Sequence, residues 1–244
     1  MWGVLFLVGL QLMAVVPAWP HEPPAFRIVM DAAFTTVTPQ GWQLASSEPG
    51  LAQPVSALDA PWSPPGVMQF VFPRGRAGGQ APATLWAGLP RAQSVYVGIW
   101  WRANADWDGH PSNVNKLQYL FTNSQGSVFL ALYGPPGGPY ELRAFPQFVT
   151  SRDEWLRPNV TPGTVELGAW HRIEWLVEYT GPGEGRIRWW LNDVLQGDHA
   201  GLPFPAQRLV EYKLSPVWGG VGGTKQTTDY FWYDHVRLSI GGPP

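Results

Sequence analysis

The chain has no cysteine in 244 residues, which removes thiol catalysis, cysteine-based zinc sites and disulfide staples at one stroke. It has little net charge: 16 basic against 18 acidic side chains leave −2, too near neutral for an electrostatic footprint on nucleic acid or on an acidic membrane. Long helices are disfavoured by 28 glycines and 26 prolines. Disorder is excluded from the other side, because 45% of residues are hydrophobic and 14% aromatic. A chain of this length can bury a sizeable core without disulfides. Nucleic-acid binder, coiled coil and disordered linker are therefore out.

Residues 1–18 contain no charged side chain and run apolar from Trp2 to Val16, too short to cross a bilayer comfortably, which takes about 20 residues. Val16-Pro17-Ala18 then gives way to the polar Trp19-Pro20-His21-Glu22. This predicts a secretory signal cleaved near Ala18, or else an uncleaved N-terminal anchor, and puts 19–244 outside the cytoplasm as one domain. The charge set, rich in arginine with only three lysines, points to a bacterial source, where the acceptor triplet Asn159-Val160-Thr161 carries little weight.

The pattern is all-β. Residues 19–90 predict two or three strands with long connections. From Ser94 the strands sharpen: Ser94–Arg102, Lys116–Thr122, Ser127–Tyr133, Tyr140–Val149, Trp170–Tyr179, Arg186–Leu195, Glu211–Leu214 and Asp229–Ile240. Turn clusters such as Gly134-Pro135-Pro136-Gly137-Gly138 separate them. Such spacing predicts a two-sheet antiparallel β-sandwich or jelly roll with little helix.

Alternation sorts the faces. His171, Ile173, Trp175 and Val177 oppose Arg172, Glu174, Leu176 and Glu178; Ile187, Trp189 and Leu191 oppose Arg186, Arg188 and Trp190; Val95, Val97, Ile99 and Trp101 oppose Tyr96, Trp100 and Arg102. In the last strand, Trp232, Asp234, Val236 and Leu238 are assigned to the core, opposite Phe231, Tyr233, His235 and Arg237. Aromatics interleaved with charges suit a sugar, whose rings offer apolar C–H faces and a hydroxyl rim. Under that reading Tyr96, Trp100, Arg102, Lys116, Gln118, Arg186, Arg188 and Trp190 bind a glycan.

Three motifs carry a resemblance: Trp170-His171-Arg172-Ile173-Glu174-Trp175, then Arg188-Trp189-Trp190-Leu191-Asn192-Asp193, and the closing Asp229-Tyr230-Phe231-Trp232-Tyr233-Asp234-His235-Val236-Arg237-Leu238. Together they resemble the laminin-G-like and concanavalin A-like lectin/glucanase superfamily, over roughly Ser94 to Ile240. The stretch His110-Pro111-Ser112-Asn113-Val114-Asn115-Lys116 is similar to one in secreted bacterial proteins of this type. The resemblance implies a jelly roll with a concave sheet that engages a polysaccharide, as a lectin, a lyase, a glucanase or an adhesion domain.

Three chemistries are open. As a lyase of acidic polysaccharides, Tyr233 and His235 transfer protons while Arg237, Arg186, Arg188, Lys116 and Gln118 quench the uronate charge. As a glycoside hydrolase, Glu174 and Glu178 form the dyad; they share a face, but lie about 13 Å apart along the strand, where carboxyls must approach to about 5–9.5 Å. The alternative is that both glutamates pair with Arg172, Arg186 or Arg188. Finally, Asn104, Asp106 and Asp108 place oxygen donors at alternate positions before Gly109, as at the start of a structural calcium loop.

Overall fold

In a computed structural model the described residues are 19–45, 48, 50–124, 126–147, 154–179, 181, 183–204 and 208–242. The expected leader, 1–18, lies outside them, and the described residues contain no α-helix. Fifteen strands follow one another: β1 (Arg27–Ala33), β2 (Gln43–Ala45), β3 (Ala52–Ser56), β4 (Gly66–Phe72), β5 (Thr84–Ala92), β6 (Ser94–Ala103), β7 (Val114–Thr122) and β8 (Ser127–Tyr133). Then come β9 (Glu141–Gln147), β10 (His171–Tyr179), β11 (Gly185–Leu191), β12 (Val194–Leu202), β13 (Leu209–Leu214), β14 (Val217–Trp218) and β15 (Asp229–Gly241).

They form two antiparallel sheets. The first has the order β12-β11-β10-β6-β15-β4-β3, with β1 also on β15. The second has the order β2-β5-β13-β7-β8-β9, with β14 on β7. Between them lies one continuous core in which Trp101, Trp175, Trp189, Phe70, Phe72, Tyr212 and Tyr233 are fully buried. Sequence neighbours pair locally as hairpins, but β6–β15 and β7–β13 join distant parts of the chain, so the sandwich closes only when the C-terminal strand arrives.

Residues 19–90 hold five strands rather than two or three. Their Pro and Gly residues sit in connections and at strand ends, so the runs between them are short. The expected strand Arg186–Leu195 is instead a hairpin: Asn192 and Asp193 take φ of 48° and 70° and turn the chain between β11 and β12. Asn and Asp tolerate that left-handed region better than other side-chain-bearing residues.

Two bulges decide which side chains face outward. In β15 the register shifts between Tyr233 and Val236, so Phe231 and Tyr233 point into the core and so do Val236 and Leu238. In β7 a shift between Lys116 and Gln118 turns both Leu117 and Gln118 inward, after which Tyr119 and Phe121 face out. One extra residue inverts the alternation beyond it.

Candidate active site

Both outer faces carry aromatics and charges, but their charges are partnered differently. On the first sheet, residues 19–26 lie across β6, β10, β11 and β15. Trp19 rests on Gly98, where an added Cβ would come within 2.5 Å of the indole, and it stacks on Trp62 at 4.9 Å. His21 stacks on Trp190 at 4.7 Å and its N–H donates to Glu174. Glu22 accepts from the Arg237 guanidinium.

Beneath this strap the expected glycan platform is used up. Tyr96 is fully buried, its O–H donating to Glu174 Oε2 at 2.5 Å. Burial first, then the Glu174 charge, pushes this phenol far above its ordinary pKa, so it stays a donor. Trp190 is buried. Every arginine of this face has a carboxylate: Arg172 with Glu174, Arg188 with Glu178 at 2.9 Å, Arg186 with Asp198 at 2.6 Å, Arg102 with Asp59 at 2.6 Å and Arg237 with Glu22 and Asp31. Trp100 is half-buried beside Arg172, and Arg102 is sandwiched between Trp170 and Trp232. Glu174 and Glu178 are thus taken singly by different arginines rather than turned toward each other.

The expected lyase residues divide at the β15 bulge. Tyr233 is a core residue, wholly inaccessible, whose O–H donates to the Leu117 carbonyl at 3.0 Å. The face assigned to it is corrected by one: Trp232 and Asp234 point outward, where the alternation had placed them in the core. His235 and Arg237 do lie outside the core, but both are engaged. His235 contacts Ser63 Oγ through Nδ1 at 3.0 Å and Asp31 through Nε2 at 2.5 Å. That serine–histidine–aspartate relay has no free oxyanion donors, since the N–H groups of Trp62 and Ser63 bind Asp234 and residues 64 and 65 are prolines. It fastens the 57–65 loop to β15.

Gln118, expected on the glycan face, is fully buried and accepts from the Tyr212 O–H at 2.6 Å. The three expected calcium ligands do not converge either. Asn104 donates to Asp229 and accepts from the Tyr230 N–H, while Asp106 is exposed. Positive charge inside this loop comes from Lys225, which donates to the Asp108 carbonyl at 2.8 Å and pairs with Asp229 at 2.6 Å. Burial pushes the Asp229 carboxyl up, but hydrogen bonds from Lys225, the Asp108 N–H and Asn104 outweigh it and hold the acid ionised.

The second sheet presents a different surface. Its outer face bears Tyr119 and Phe121 from β7, Phe129, Ala131 and Tyr133 from β8, Phe145 from β9, and Trp155 lying over them. Lys116 sits in register with Ala131, and Ala131 with Arg143. A lysine and an arginine thus flank a residue with a methyl side chain, their backbones about 9.5 Å apart across two strand spacings. Along β8, Phe129 and Tyr133 stand on either side of Ala131, which is fully buried, and Trp155 packs against both rings. The Arg143 guanidinium stacks over the Tyr133 ring at 3.6 Å and pairs with Glu141.

Lys116 differs from every other lysine. Lys213 pairs with Glu211 and Lys225 with Asp229, but among the described residues no carboxylate lies within ion-pair distance of Lys116. Its ammonium lies instead over the Phe129 ring at 4.7 Å and the Tyr119 ring at 5.8 Å. Burial alone, with no counter-charge, brings its pKa below the ordinary lysine value. Burial likewise keeps the Tyr119 phenol protonated. Lysine in this setting can shed its proton and act as a base.

Sequence comparison finds no matching family model and no matching curated protein. Solved structures do match. An endo-β-1,4-glucuronan lyase from the fungus Trichoderma reesei superposes with a TM-score of 0.64 at 13% identity, covering 88% of this chain and 96% of its own. The PL-14 alginate lyase of Aplysia kurodai gives 0.63 at 12%, covering 88% and 100%. The alginate lyase Aly36B gives 0.61 at 13%, covering 82% and 88%. At these identities the fold is what is shared. It is a jelly-roll-like sandwich that these neighbours use as polysaccharide lyases.

Of the residues picked from sequence, Lys116 alone stands on this face. Arg143, Tyr133, Tyr119 and Phe129 were missed, although Ser127–Tyr133 and Tyr140–Val149 were read as strands. The missed signal is the alternation Phe129, Ala131, Tyr133 against Glu141, Arg143, Phe145, which sets a cation and aromatics around one small residue.

Proposed function

We propose that the protein is a secreted polysaccharide lyase that binds a uronate-containing chain across the outer face of the second sheet and cleaves it by β-elimination. The observation that carries this reading is Lys116, half-buried with no carboxylate partner among the described residues and facing Arg143 across Ala131. Abstracting a proton next to a carboxylate requires the carboxylate's charge to be quenched and a base that is neutral when it meets its substrate. Arg143, stacked on Tyr133 and paired with Glu141, supplies the positive charge once the substrate carboxylate takes the place of Glu141; a guanidinium binds a carboxylate in two-point fashion. Lys116 Nζ takes the C5 proton, the electron pair forms the C4–C5 double bond, and the C4–O4 bond breaks. The Tyr133 hydroxyl, on the same face, donates the proton that O4 takes as it leaves. The half-buried rings of Phe145 and Trp155, packed over the buried Phe129, meet the apolar faces of the sugar rings. The lyase activities of the fold's neighbours on glucuronan and alginate support this substrate class.

The test is incubation with glucuronan, alginate and neutral glucans, with products weighed by mass spectrometry. Elimination is expected: oligosaccharides lacking the mass of one water, with the ultraviolet absorbance of a conjugated double bond, from an acidic polymer only. Hydrated ends, or products from the neutral glucans, would overturn it.

A further inference from the structure

We infer that His21, Glu174 and Asp193 form a binding site for a first-row divalent cation, zinc being the best match, that clamps the N-terminal strap onto the first sheet. One ligand atom from each of the three lies within 4.8 Å of the others. They come from separate pieces of chain: the strap, the middle of β10 and the turn between β11 and β12. His21 Nε2 stands 3.8 Å from Asp193 Oδ1, and tetrahedral ligands at zinc distances stand about 3.4 Å apart. Little movement is needed to close the set around an ion.

The orientation of each ligand is fixed by contacts outside the cluster. The imidazole lies flat on Trp190 with planes 6° apart, and its Nε2 is buried with no hydrogen bond. Glu174 turns Oε2 to the protein, where it accepts from the Tyr96 O–H and the His21 N–H. That leaves Oε1, on a side chain only 1% exposed, without a hydrogen bond. Glu174 Oε1 has the Arg172 guanidinium at 3.2 Å but no hydrogen bond, and the buried His21 Nε2 beside it has none either, an arrangement that a metal ion bound by both would satisfy. Asp193 is held in the turn by its left-handed backbone. One nitrogen with two carboxylates suits zinc better than calcium, which takes six to eight oxygens.

Arg172 competes for the same charge. Its Nε lies 3.2 Å from Glu174 Oε1 and its Nη2 pairs with Asp193 Oδ1. One guanidinium against two carboxylates leaves the cluster short of positive charge, and binding of a divalent ion displaces the Arg172 pairing toward Trp100.

The experiment is calorimetric titration of zinc chloride into the purified protein, prepared without a polyhistidine tag, alongside thermal unfolding. One saturable site is expected in the wild type, with a rise in Tm. His21→Ala and Asp193→Asn should each weaken it by at least about tenfold and abolish the rise. Arg172→Met should tighten it, an outcome that a purely structural ion-pair cluster would not give. Wild type that binds no zinc, or binding equally strong in His21→Ala, would overturn the site. Weaker binding in Arg172→Met would do so as well.

Discussion

Replacing Lys116 separates the lyase chemistry from the packing of the sheet. Lys116→Met keeps an unbranched stem over Phe129 and Tyr119 but removes the amine. A positioned general base contributes about 10²–10⁴ in rate, so kcat/KM on a polyuronate should fall by about 2.7–5.5 kcal/mol of transition-state stabilisation. Stability should barely move. Losing the ammonium–ring contact costs about 0.5–2 kcal/mol, while freeing a half-buried charge from desolvation offsets part of that. At this size 1 kcal/mol is worth about 2–4 °C, so Tm should stay within a few degrees of wild type. Lys116→Arg is the decisive companion. It keeps a positive charge that does not titrate in the working range, so it should be as inactive as Lys116→Met if the amine is a base. Initial rates of unsaturated-product formation, with substrate binding measured separately, read both variants. Activity in Lys116→Arg within about threefold of wild type would refute general-base catalysis and leave Lys116 as a charge only. Full activity in Lys116→Met would remove it from the site.

The pH dependence follows the same group. Lys116 works when neutral, and burial places its pKa below that of an ordinary lysine, so activity should rise with pH through a midpoint below the lysine range. The folded form binds fewer protons there than the unfolded chain, so the stability deficit from this charge is full at lower pH. It should be relieved as pH climbs through the window between the two pKa values, and this gain should vanish in Lys116→Met, as unfolding curves across that range would show. Tyr233→Phe should cost about 1–3 kcal/mol by stranding the buried Leu117 carbonyl, yet leave kcat unchanged; a large loss of kcat with unchanged Tm would return Tyr233 to the chemistry. Lys225→Met should destabilise by about 3–5 kcal/mol, because Asp229 is then left buried and unpaired, and urea unfolding midpoints would measure it.

The sandwich itself was legible because its strands are aromatic and β-branched and its turns are marked by Gly and Pro. Strands β6, β8, β10 and β13 fall close to where the pattern put them, and their inward sets Val95, Val97, Ile99 and Ile173, Trp175, Val177 are core. What alternation cannot reveal is a bulge. Nothing in Tyr233-Asp234-His235-Val236 announces that two successive residues face outward, yet that extra residue sends Tyr233 inward while leaving His235 outside. The β7 bulge does the same to Gln118 while leaving Lys116 outside. Site residues next to a bulge are therefore read correctly on one side of it and incorrectly on the other.

The larger ambiguity was between two faces that read alike, since both mix aromatics with charge. Charge balance separates them. On the first sheet Arg102, Arg172, Arg186, Arg188 and Arg237 each meet a carboxylate, some from strands and some from distant segments such as Asp59 in the 57–65 loop and Glu22 in the strap. Those partners lie far off in sequence, so no window of the chain reveals that the arginines are already neutralised. Arg143 on the second sheet is paired too, with Glu141, so the difference between the faces rests on Lys116. Among the described residues Lys116 meets no carboxylate, at a half-buried position where holding its charge costs free energy. On the proposed reading the uronate carboxylate brings the negative charge that the described residues do not place beside Lys116, so Lys116→Met should weaken binding of a polyuronate and leave that of a neutral glucan unchanged.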